Sequence, residues 1–73
     1  MTIIEVIYSI ALPIMKEHNI DDTLQNRHSF LQGLRLGWKE DGDTSIDKSL
    51  CMIALNGEIR NLDMKLRYLR IWA

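Results

Sequence analysis

One cysteine, one proline and one phenylalanine are all that 73 residues contain of those types. The lone Cys51 excludes an intrachain disulfide framework and fits a reducing, intracellular compartment. With two histidines, His18 and His28, ten residues apart, it cannot supply a recognisable zinc spacing. The four glycines form no phosphate loop and no dinucleotide fingerprint, and the sequence has no nucleophile elbow. No cofactor and no metal is expected, and the thin polar inventory argues against an enzyme.

The acidic stretch from Glu40 to Asp43 partly matches the calcium loop of an EF-hand. Asp41, Asp43 and Ser45 would stand at the first, third and fifth positions. The turn glycine is replaced by Ile46 and the closing glutamate by Met52, so the pattern fails. A solvated loop with helix-capping residues accounts for the same letters.

No run is long and apolar enough to suggest a membrane span. Residues 3–15 are strongly apolar, but Glu5 and Pro13 interrupt them. They fall short of the ~20 residues needed to cross a bilayer. No positive charge precedes them, as a signal peptide would require. The expected location is cytoplasmic, with no membrane partner.

Net charge is only −1, so the strongly basic footprint of a nucleic-acid-binding domain is missing. The charge is nonetheless uneven. Residues 1–47 hold four basic and eight acidic side chains; residues 48–73 hold five basic and two acidic. Such asymmetry can orient a pairing partner.

What the sequence has is apolar residues at helical spacing. Hydrophobic types make up 47% of the chain. Leu55, Ile59, Leu62, Leu66, Leu69 and Ala73 recur at steps of four and three, which keeps them on one helical face. A second set, Met64, Tyr68, Ile71 and Trp72, lies roughly opposite. One stripe suffices to pack a helix on its own domain; a second implies a partner.

Three helices are expected, at about residues 2–18, 23–39 and 46–72, forming one small all-α domain over 1–73. Thr2 and Glu5 fit a capping box ahead of Ile3, Ile7, Ile10 and Ile14, which share a face. The β-branched content of residues 3–10 also suits a strand. Asn19 can stop the first helix, and Asp22 or Thr23 can cap the second. Leu24, Leu31 and Trp38 form its stripe, widened by His28, Phe30 and Leu34. Gly33 and Gly37 either permit a close helix crossing or weaken the helix. Thr44 or Ser45 can cap the third helix, which is long or broken near Gly57. The structural alternative is an α+β fold with a C-terminal hairpin at Asn56-Gly57, a strong hairpin dipeptide.

A domain this small is only marginally stabilised by one core, and self-association would use surplus apolar surface. The expected function is that of a noncatalytic, intracellular protein–protein interaction module, homodimeric, acting as a regulator or adaptor. Tyr68, Ile71 and Trp72 would engage another protein or a second copy, with Arg67 and Arg70 at the rim, since Arg and Trp are enriched in binding hot spots. The alternative is a small nucleic-acid-binding transcriptional regulator that places Arg60, Arg67 and Arg70 on phosphates.

Overall fold

The computed structural model of the chain describes residues 1–42 and 45–72, with the backbone alone at Trp72. Three helices follow in order: α1 (Ile3–Glu17), α2 (Leu24–Glu40) and α3 (Ile46–Trp72). The described residues contain no strand. The all-α reading therefore holds, and the α+β alternative with a hairpin at Asn56-Gly57 does not.

Helix α1 forms despite its β-branched content, which costs only tenths of a kcal/mol per residue in a helix. Thr2 caps it. Its Oγ1 accepts the Glu5 N–H at 3.2 Å, and its hydroxyl donates to the Glu5 carboxylate at 3.2 Å. Pro13 lies inside the helix and has no N–H to give to the Ser9 carbonyl. The helix ends where Asn19 takes a left-handed conformation, φ 57°. The Ile20 N–H then reaches back to the Met15 carbonyl at 2.8 Å, and the Asn19 N–H to Lys16 at 3.1 Å. This is the Schellman closure, with asparagine in place of the usual glycine.

Thr23, rather than Asp22, caps α2: its Oγ1 accepts the Asn26 N–H at 3.1 Å. Asp22 instead receives a two-pronged contact from Arg27, through Nε and through Nη2, the latter at 2.8 Å. The Arg27 guanidinium also lies 4.9 Å from the centre of the Tyr8 ring, which ties α2 to α1. Gly42, φ 73°, redirects the chain after α2. Ser45 caps α3 by accepting the Lys48 N–H at 3.2 Å, while Asp43 and Thr44 lie outside the described residues. Lys48 Nζ reaches back to Asp41 at 2.9 Å and anchors the turn.

Helix α3 runs 27 residues through Asn56-Gly57 as one element. A glycine inside a helix costs about 1 kcal/mol relative to alanine. The burial of Leu55, Ile59 and Leu62 around it outweighs that cost. At 1.5 Å per residue the rod is about 40 Å long, which matches the 42 Å longest dimension of the molecule.

The core is small. Ile7, Ala11, Leu31, Leu55, Ile59 and Leu62 form its buried cluster, with Ile4, Tyr8, Leu24, Phe30, Leu34 and Trp38 packed around it. The face of α1 differs from the expected Ile3-Ile7-Ile10-Ile14 stripe. Ile7 is buried with Ala11 and Met15, while Ile3, Ile10 and Ile14 are exposed. The helix is turned so that Ile4, Ile7 and Ala11 meet the core. Gly33 and Gly37 are both exposed, and an added Cβ at either would touch nothing. They serve no close crossing within this chain.

Candidate interaction surface

Side-chain contacts set the register of α3 against its neighbours. Arg35 Nη1 donates to Asn56 Oδ1 at 3.1 Å, and His28 Nε2 lies 4.0 Å from Asp63 Oδ1. These pairs run in opposite senses along the two helices, so α2 is antiparallel to α3. The same register brings Leu24 level with about Arg67. The last turn of α3 therefore extends beyond the start of α2. The opening turn of α1 lies against the middle of α3, where Thr2, Ile3 and Ile4 share a groove with Ala54, Gly57 and Asn61.

This arrangement divides the apolar residues of α3. On the inner side, Leu55 is fully buried, Leu62 nearly so and Leu66 half-buried. Leu69, on the same helical face, is 53% exposed, at the end of the rod that extends beyond the start of α2. On the outer side, Met64, Tyr68 and Ile71 are all exposed, with Ile71 at 79%. The Trp72 side chain, the third anchor expected from the sequence, lies outside the described residues.

The outer stripe is longer than the sequence pattern suggested. Ile46, Leu50 and Ile53 are exposed on the same face as Met64, Tyr68 and Ile71, at steps of four and three. The sequence pattern hides these three because they interleave with Cys51, Met52, Ala54 and Leu55, which are partly or fully buried, and contiguity hides direction. Reading the four-and-three spacing back through Gly57 would have found them. A second exposed apolar face lies on α1, at Ile3, Val6, Ile10 and Ile14.

The arginines occupy the edge between the outer stripe and α2. Arg67 Nη2 lies 3.1 Å from Asp63 Oδ2, one turn back on the same helix. Arg60 lines a shallow groove with His28, Gln32, Arg35, Asn56 and Asp63. Arg70 is exposed one turn further on. The ridge of Arg60, Arg67 and Arg70 is thus present, with Asp63 set into it. A carboxylate there repels phosphate and draws Arg67 along the helix.

Where the three helices meet, Tyr8 Oη is buried and closes no hydrogen bond. Burial, and then the nearby Glu58 carboxylate, push its pKa up to about 12. Arg27 acts in the opposite direction without overcoming them. The hydrogen bonds from Arg27 hold the Asp22 carboxyl below the usual aspartate range, and Asp22 in turn raises the pKa of Arg27. This network joins α1 and α2. Cys51 is half-buried on α3. Among the described residues, no group of three or more His, Cys, Asp or Glu could hold a metal ion. No helix among them is long and apolar enough to cross a membrane. Comparison of the chain with protein-family models, with characterised proteins and with solved structures finds no match.

Proposed function

We propose that the chain is a noncatalytic, intracellular helical interaction module that self-associates and acts as a regulator or adaptor. One observation carries this reading: α3 presents a second set of apolar side chains, about half to four-fifths exposed, opposite the stripe that builds the core. Isolated exposed apolar residues are ordinary, but two clusters on one helical face, Ile46, Leu50 and Ile53 and then Met64, Tyr68 and Ile71, support a contact surface. Tyr68 and Ile71 would be its anchors, with Trp72 beside them and Arg67 and Arg70 at the polar rim. The exposed face of α1 gives the module a second surface, as an adaptor needs.

The test is capture from native lysate by the tagged protein, with and without nuclease, run beside a Tyr68→Glu/Ile71→Glu variant. A stoichiometric protein retained after nuclease and lost from the variant supports the reading. Capture that vanishes with nuclease and depends on Arg60, Arg67 and Arg70 overturns it in favour of a nucleic-acid regulator. Circular dichroism of the variant must show the same helicity for the loss to count.

A further inference from the structure

Four of the six apolar residues on the outer stripe of α3 are placed symmetrically about Gly57, whereas Ile53 falls opposite Asn61 and Ile71 beyond the start of the helix. Counted from Gly57, Leu50 and Met64 lie seven residues to either side, and Ile46 and Tyr68 lie eleven. All four are exposed on one face, and Gly57 itself is exposed with open space where a side chain would stand. A helix laid antiparallel on this face, with Gly57 crossing Gly57, would bring Leu50 of each copy level with Met64 of the other. Ile46 would come level with Tyr68. Missing side chains at the crossing let two backbones approach closely, as small residues do wherever helices cross tightly.

Charge follows the same symmetry. Glu40, Asp41 and Asp47 are exposed around the start of α3, and Arg67 and Arg70 near its end. In the antiparallel register Lys65, on the same flank of α3 as Asp47, comes within two residues of level with Asp47 of the other copy. Basic ends then meet acidic ends, and the helix dipoles oppose. A parallel pairing would set like ends together.

Area supplies a third, independent argument. The chain exposes 5534 Å². A compact monomer of this mass exposes about 4,650 Å², so roughly 900 Å² is in excess. A standard interface removes about 800 Å² from each partner. One contact of ordinary size would bring the surface into line.

We infer that a second copy of this chain is the occupant: two α3 helices pack antiparallel through their outer faces about a two-fold axis at Gly57. This inference rests on the proposal that the outer stripe is a contact surface, and it names the partner and its orientation.

The two-fold axis makes a direct test possible, because position 57 must meet itself. Gly57→Lys and Gly57→Glu each replace an exposed glycine by a better helix former, so the monomer should gain helicity rather than unfold. Light scattering of the wild type at about 100 μM, above the micromolar end for interfaces of this size, should give twice the 8.5 kDa chain mass. Each variant alone should weaken association at least tenfold, and an equimolar mixture should associate more tightly than either variant alone but less tightly than the wild type, because opposite charges then meet at a crossing that also holds two side chains. Orientation is read in a Cys51→Ala background by oxidising Leu50→Cys and Met64→Cys variants. In the antiparallel dimer the two positions-50 are about 21 Å apart, too far for a disulfide. The mixed 50–64 disulfide should form instead, and neither variant should cross-link alone. A dimer that forms 50–50 disulfides overturns the antiparallel arrangement while leaving self-association intact. A wild type that stays monomeric at that concentration overturns the second copy as occupant, and the lysate capture then decides separately whether the surface binds anything.

Discussion

Leu55 and Leu69 share one face of α3 and one residue type, yet the structure gives them unequal roles. Leu55 is 0% exposed and contacts the cluster formed with Ile7, Leu31 and Ile59. Leu55→Ala removes a fully buried side chain and leaves a cavity, at a cost of about 3 kcal/mol. Leu69 is half in water already. Its truncation forfeits part of a transfer term that is about 1.5–3 kcal/mol for full burial, and leaves no enclosed void, so about 1 kcal/mol or less is expected. A domain of this length is stabilised by about 4–11 kcal/mol, so the first change consumes a large share and the second does not. The assay is urea unfolding followed by circular dichroism. It is run at two low protein concentrations, so that self-association does not add to apparent stability. With a slope near 1 kcal/mol/M, the two midpoints should separate by about 2 M. Equal midpoints would refute the argument, because they would mean that the end of α3 is packed as well as its middle.

Other outcomes follow from the same packing. Gly33→Ala and Gly37→Ala should each raise stability by about 0.5–1 kcal/mol in thermal or urea unfolding, since the added methyl touches nothing and the helix gains propensity. Tyr8→Phe should change stability by less than about 1 kcal/mol at neutral pH, because the buried hydroxyl lies near Glu58 and Arg27 but closes no well-formed hydrogen bond with either. The raised Tyr8 pKa also means that its contribution is intact below the ordinary tyrosine value and is lost as pH rises through about 12. Tyr8→Phe should therefore flatten the alkaline limb of a stability–pH profile. The depressed Asp22 carboxyl has the opposite sign: its contribution is present above the ordinary aspartate pKa and is lost as pH falls through the lowered folded value. Asp22→Asn should remove that part of the acid limb.

The helices were legible from local chemistry. Thr2, Asn19, Thr23 and Ser45 act at their boundaries because each signal involves neighbours in sequence. Gly57 was harder to read. Asn-Gly is a hairpin signal in isolation, and only the burial of Leu55, Ile59 and Leu62 makes the helix win. The orientation of α1 was not legible. Ile3, Ile7, Ile10 and Ile14 are periodic, but so are Ile4, Ile7, Ala11 and Met15, and an apolar helix has several candidate faces. The choice between them depends on how closely the neighbours approach. At the interaction surface, Tyr68 and Ile71 were visible as a stripe. Ile46, Leu50 and Ile53 needed the three-dimensional arrangement to show which way they point.

The outer face of α3 is proposed as a contact surface that the fold itself does not need. Solution mass and helicity, measured together on the wild type and on a Tyr68→Ala/Ile71→Ala variant, test it most directly. The prediction is a wild-type mass of twice the 8.5 kDa chain that falls toward one chain in the variant, with helicity unchanged. A variant of unchanged mass, or one that loses its helices, would contradict the claim.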